Sequence, residues 1–231
     1  MNMTIKTIRT GISEALPLAI AIAAYGLSYG VLGIQAGFGL LGTVLMSLLV
    51  FSGSVQMVTV AMITGGAGIL SILVTATLLN LRNLLYGAAL AEGIAPAKRW
   101  RWLLSFGVSD EPFVLGISRF KQYGPDPIYF ATVAGTFYIA WVSSSLIGAI
   151  IGNQIIDPQK WGLDLAFPIT FVALLVPNLT EKPIIATALT GAVITVILTV
   201  LFPGTPLNIL VAGVLAPLVG IYLKEKNKNV D

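Results

Sequence analysis

The stretch LVFSGSVQMVTVAM, residues 49–62, decides how this chain is read. A Ser-Gly-Ser triplet at 52–54 and then Gln56 interrupt a run that is otherwise apolar. Glycine and small polar residues weaken a helix, and in lipid no water takes over the backbone groups that a break sets free. Such a break is stable at membrane depth only where it is packed inside protein or lines a cavity. The triplet is therefore expected to be unwound or closely packed, not regular helix facing lipid.

The rest of the chain places this stretch in a membrane. Of 231 residues, 56% are hydrophobic and only 10% charged, whereas soluble domains carry about 25% charged residues. Mean hydropathy is +0.91. Apolar runs recur along the whole length, with predicted spans at 15–35, 40–63, 67–94, 103–120, 127–151, 164–180, 183–201 and 207–223. The expectation is all-α: one polytopic membrane helix bundle over 1–231, with seven or eight crossings and broken or re-entrant helices.

Orientation strains that simple count. Lys6 and Arg9 at one end and Lys224, Lys226 and Lys228 at the other argue for a cytoplasmic location of both termini. Eight crossings would then put Lys98, Arg99 and Arg101 outside but Arg119 and Lys121 inside. Both clusters fall on the cytoplasmic side only if 103–118 does not cross and one earlier segment is re-entrant. That stretch is about 24 Å long as a helix, short for a hydrocarbon core of ~30 Å.

The chain has no Cys and no His. Thiol nucleophiles, disulfides and imidazole metal sites are excluded, so no metal or other cofactor is expected. Proton handling falls to carboxylates. A membrane enzyme would have only serine or carboxylate chemistry to use, and no Ser-Lys pair lies at a suitable depth; the expectation is a non-enzyme. No G-x-x-x-x-G-K-[ST] loop is present, so transport would draw on an ion gradient. The net charge of +3 lies in short clusters that read as orientation signal, not as a nucleic-acid footprint.

Four places put costly groups into apolar segments: Ser52, Gly53, Ser54 and Gln56; Asn80, Arg82, Asn83 and Tyr86 in LLNLRNLLYG; Asp110 and Glu111 before Pro112; and Asp164 before Pro168. An intramembrane charge costs about 2.5–3.5 kcal/mol on insertion scales, so it persists where it faces a polar interior. Helical spacing sets Asn80, Asn83 and Gly87 on one face and Arg82 and Tyr86 on another, which predicts a central, lipid-shielded helix. Pro112 predicts a helix start that puts both acids at its positive end. Several readings stay open here. Arg82 could be a structural partner of Asp110 or Glu111; the two acids could be solvated in a loop; the Ser-Gly-Ser triplet could be a packing face. Asp164 could be a coupling residue or simply an N-terminal helix residue. Breaks at 52–54 and at Pro168, one in each half, hint at an inverted repeat, and discontinuous helices are a common way to bind substrate in transporters.

The same stretches, FSGSVQ (51–56), LLNLRNLLYG (78–87), SDEPF (109–113) and GLDLAFPITFVALLVP (162–177), resemble the AzlC/YgaZ-type branched-chain amino acid permeases in order and across essentially the whole chain. Members often carry Ala at the place of Ser52 and His at the place of Asn83. The resemblance implies export of leucine, isoleucine, valine and sometimes methionine across a bacterial inner membrane, together with a small AzlD/YgaH-type membrane subunit. Joined to the polar groups above, it implies that Ser52, Gly53, Ser54, Gln56, Asn80, Arg82, Tyr86, Asp110 and Glu111 bind substrate, with Phe51 and Phe171 in an apolar pocket for its side chain. A passive amino-acid channel, or a structural subunit of a membrane complex, is the alternative.

Overall fold

The computed structural model describes residues 3–155, 179–203 and 207–228, with 160, 162, 165, 172, 175 and 176 singly. The helices follow as α1 (Met3–Gln35), α2 (Gly39–Leu49), α3 (Gly53–Thr64), α4 (Ile69–Ile94), a 3₁₀ turn (Ala95–Trp100), α5 (Arg101–Phe106), α6 (Asp110–Tyr123), α7 (Pro127–Ile151), a 3₁₀ turn (Gly152–Gln154), α8 (Lys182–Leu201) and α9 (Leu207–Lys228). Four helical stretches are long and apolar enough to cross a membrane among the described residues: Thr4–Gln35, Ile69–Phe106, Pro127–Ile151 and Lys182–Leu201. The predicted span 164–180 falls largely outside the described residues. The chain divides into two compact units, one of residues 1–64 and 79–167, the other of residues 65–78 and 168–231.

The first unit is built on α1 and α7, which run parallel and touch backbone to backbone at glycines. A Cβ on Gly30 would stand 2.2 Å from the Ser145 carbonyl oxygen, and one on Gly148 would stand 2.1 Å from that of Leu27. Glycines at this depth allow backbones to touch where lipid offers no hydrophobic drive to associate. The order of these close approaches fixes the direction: Gly11 lies against Thr132, Gly26 against Ser144, and Gly152 against Ile34. Tyr25, Tyr29, Phe137 and Trp141 fill the middle of this core.

Two predicted spans are each two helices. Residues 40–63 divide at 50–52 into α2 and α3, and 103–120 divides at 107–109 into α5 and α6. The second division settles the strained orientation. Along α4 from residue 79, Tyr86 stacks on Phe113, Leu90 meets Gly116, and Gly93 lies against the Phe120 ring. That half of α4 and α6 therefore run the same way and finish at the same end. It is the end where α1 and α7 begin, because Arg119 of α6 pairs with Asp126, and Tyr129 of α7 donates to the Glu14 carboxylate. Asp126 also accepts from the Tyr129 N–H at 3.1 Å and so caps α7.

Residues 95–123 accordingly enter and leave at one end, turning beside Ala134 near the middle of α7. The stretch 103–118 does not cross, and Lys98, Arg99 and Arg101 share an end with Arg119 and Lys121. The expectation of a lipid-shielded α4 is corrected in part: Leu84 and Leu85 are 70% and 72% exposed, so one leucine face of this helix looks outward.

In the second unit, α8 and α9 pack antiparallel through small residues. Gly191 meets Ala216, and Gly220 meets the Thr187 hydroxyl. Their opposite faces, including Val193, Val196, Val200 and Leu218, are exposed and apolar.

The absence of native cysteine makes the topology directly testable. Single Arg99→Cys, Lys121→Cys and Lys6→Cys variants should all be labelled by a membrane-impermeant maleimide from the same side of sealed vesicles. Labelling of Arg99→Cys and Lys121→Cys from opposite sides would mean that α5 and α6 cross.

Candidate functional site

The break in the opening stretch is held together by side chains. An α-helix leaves its last four carbonyls without partners, and at membrane depth protein must satisfy them. Gln56, fully buried on the first turn of α3, reaches back across the break. Its Nε2 donates to the Met46 carbonyl at 2.9 Å and to that of Val50 at 2.6 Å. Its Oε1 accepts from Trp141 Nε1 at 3.1 Å. The Tyr138 hydroxyl donates to the Leu48 carbonyl at 2.9 Å. The Leu48 carbonyl of α2 is thus satisfied from α7, and the Met46 and Val50 carbonyls, which also accept the Val50 and Ser52 N–H groups, take a second bond from α3.

The unwound residues are Val50–Ser52; Gly53 and Ser54 already belong to α3. Gly53 is the closely packed member of the triplet. A Cβ there would lie 2.9 Å from both Trp141 Cη2 and Tyr25 Cε1, so only glycine lets the start of α3 sit on this aromatic pair. That contact turns the neighbouring serines away from the α1–α7 core.

Ser54 meets the charged cluster. Arg82 Nη2 donates to Ser54 Oγ at 2.8 Å and pairs with Asp110 Oδ2 at 2.8 Å. The Tyr86 hydroxyl, one turn further along α4, donates to Asp110 Oδ1 at 3.1 Å. Ser52 Oγ lies 3.4 Å from Ser54 Oγ. Asp110 opens α6, with Glu111 beside it in the first turn, where a helix favours negative charge. Pro112 follows within that turn, where a missing N–H costs no intrahelical bond. Ser109 precedes them in extended conformation. Arg82 Nε and Ser109 Oγ are buried with no hydrogen-bond partner among the described residues.

The structure thus brings together Ser52, Ser54, Arg82, Tyr86 and Asp110, with Glu111 next in the turn. Gly53 and Gln56 lie behind them as packing and support. Asn80 and Asn83 sit on another face of α4, where Asn83 Nδ2 faces Asn80 Oδ1 at 3.4 Å. Asp164, Pro168 and Phe171 lie outside the described residues. Beside the charged cluster is an aromatic wall that sequence reasoning did not assemble. Phe51 stacks on Phe106 at 6.2 Å between ring centroids, and Tyr138 meets both edge-on, at 5.4 and 5.7 Å. Phe51 lies within the interruption at 50–52 and Phe106 just before the one at 107–109, so the ring contact brings the two breaks together. Trp141 carried one signal: an indole in the middle of a span, away from the interfacial belt that indoles favour, needs a buried acceptor.

Comparison with known proteins places this chain in a family. The profile described as AzlC protein matches residues 17–155, and that of the MJ1155 family matches residues 161–228. The Bacillus subtilis branched-chain amino acid transport protein AzlC is 24% identical over 91% of this chain and 84% of its own length. The Escherichia coli inner membrane protein YgaZ is 25% identical over 80% of each. An uncharacterized membrane protein of Helicobacter pylori is 24% identical over 98% of this chain and 99% of its own. No solved structure matches the chain significantly.

Replacing Gln56 by Leu strands the Trp141 N–H and removes the bonds that tie α3 to the Met46 and Val50 carbonyls, which keep only the Val50 and Ser52 N–H donors; an unsatisfied buried polar group costs about 1–3 kcal/mol. Thermal unfolding of the purified Gln56→Leu variant in detergent should show a clearly lowered midpoint. A midpoint equal to that of the parent would contradict the stitched break.

Proposed function

We propose that this chain, which belongs to the AzlC family, exports branched-chain amino acids across a bacterial inner membrane, driven by protons and working with a small membrane subunit. Support for the substrate class comes from the relative named as a branched-chain amino acid transport protein. Support for the location comes from the relative named as an inner membrane protein. The observation that carries the reading is Arg82, shared between the Ser54 hydroxyl at the helix break and the Asp110 carboxylate.

A free amino acid is a zwitterion with one apolar arm, and the site offers a complement for each part. Arg82 supplies a planar cation for the carboxylate, with an Nε that has no partner among the described residues. The start of α3 adds N–H groups of the kind that hold carboxylates at discontinuous helices. Asp110 and Glu111 face the ammonium. Ser52, Ser54 and Tyr86 orient the polar end, while the fully engaged Gln56 keeps the break open. The Phe51, Phe106 and Tyr138 wall takes the aliphatic arm, whose burial contributes about 1.5–3 kcal/mol. Substrate meets Arg82 at its unpartnered Nε while the Arg82–Asp110 pair stays in place, so entry breaks no internal ion pair and binding stays reversible, as a carrier requires.

The test is efflux of preloaded labelled leucine from cells expressing the chain with its small membrane subunit. Hydrogen bonds to charged groups are worth about 1.5–3 kcal/mol, so Arg82→Ala and Asp110→Asn should each slow efflux roughly tenfold to a hundredfold. Unchanged efflux in both variants would remove the site assignment. No efflux of any aliphatic amino acid by the parent chain would remove the function.

A further inference from the structure

Two carboxylates and one cation stand at the start of α6, and their connections are unequal. Asp110 is fully engaged: Oδ2 pairs with Arg82, and Oδ1 accepts from Tyr86. Glu111, its neighbour in the chain, is half-buried, and no described cation forms an ion pair with it. The titratable or charged groups that face it, among the described residues, are Asp110 on its own helix, Arg82 and Tyr86 on α4, and Tyr25 on α1. Two of these, the tyrosines, are neutral, one is a like charge, and the single cation is already paired. With Arg82 at +1 and two carboxylates at −1 each, the ionised site carries one uncompensated negative charge in a low-dielectric setting. Such a charge is costly unless something neutralises it. Among the described residues Asp110 has its neutraliser, and Glu111 does not.

We propose that Glu111 is the residue that binds the coupling proton, and that Asp110 serves throughout as the counter-ion of Arg82. This rests on the reading of the chain as a proton-driven amino-acid exporter and assigns distinct roles to the two acids. One proton from the outer side binds a Glu111 carboxylate oxygen while the site is empty. It leaves to the inner side as a substrate ammonium takes its place against the same carboxylate. Nothing is oxidised or reduced, and one proton moves inward for each amino acid moved outward. Proton and ammonium exclude each other because a single unpaired carboxylate serves both. Asp110 cannot play this part without releasing Arg82, which would leave a guanidinium unpaired at the helix break.

Proton release on binding tests this directly. Purified protein, with any subunit that copurifies, is held in weakly buffered detergent near neutral pH with an indicator dye. Leucine is added while binding is measured separately with the labelled amino acid. The parent chain should release about one proton per leucine bound, and Glu111→Gln should bind leucine more weakly and release none. Glu111→Asp should bind and release, with the pH at which release is half-maximal displaced from that of the parent. Leucine binding without proton release by the parent overturns this assignment but leaves the exporter reading in place; absence of leucine binding by the parent overturns the reading on which it rests. Release by Glu111→Gln equal to that of the parent overturns the assignment. So does a Glu111→Asp variant that binds leucine with the release profile of the parent, which also covers a Glu111→Gln protein too unstable to bind.

Discussion

Arg82 and Asp110, 2.8 Å apart, form the contact on which the first unit depends. A guanidinium within an apolar helix is costly unless it is paired and hydrogen-bonded. Its partner comes from a helix that does not cross. To deliver Asp110, the chain must leave the end of α4, turn inward, stop near the middle of α7 and start again. The break between α5 and α6 is therefore a consequence of where the cation sits. The same guanidinium reaches Ser54, so it also fixes the start of α3 and, through it, the break that ends α2. One side chain holds both interruptions in register.

The helix ends created by these interruptions need their own partners. Gln56, Tyr138 and Trp141 tie the first break together with hydrogen bonds that join α3 and α7 to the Met46, Leu48 and Val50 carbonyls. The second break leaves Ser109 Oγ buried without a partner among the described residues and places two acids at a helix start. The two ends of the site differ in kind as a result. One is bridged by side chains that are themselves engaged. The other retains unfilled bonding capacity and charge, which the proposed binding of substrate would use. A carrier needs both, since a site with every group satisfied has nothing to exchange.

The sequence made much of this legible because the membrane penalises polar residues so heavily. Ser-Gly-Ser, Arg82 and Asp110-Glu111 stand out against an apolar background, and Pro112 marks the start of α6 where the structure has it. The separate faces of Arg82 with Tyr86 and of Asn80 with Asn83 followed from helical spacing alone. Other features were out of reach for physical reasons. Hydropathy registers apolar length, not direction, so a re-entrant pair such as α5 and α6 reads as one short span. The basic clusters at 98–101 and 119–121 betrayed it, as a conflict with the crossing count, together with the short length of 103–118. Gln56 looked like a ligand because a lone polar side chain in a sequence does not reveal that its partners are backbone carbonyls ten and six residues behind it. The aromatic wall of Phe51, Phe106 and Tyr138 joins residues from three distant segments, and no local pattern encodes it.

The central claim is that an amino acid enters between Arg82 and the start of α6. An experimental structure of the protein with leucine bound tests it most directly. Density for the amino acid is expected with its carboxylate on Arg82, its ammonium toward Asp110 and Glu111, and its side chain against Phe51 and Phe106. Leucine bound elsewhere, with the Arg82–Asp110 pair and its surroundings unaltered, would contradict it.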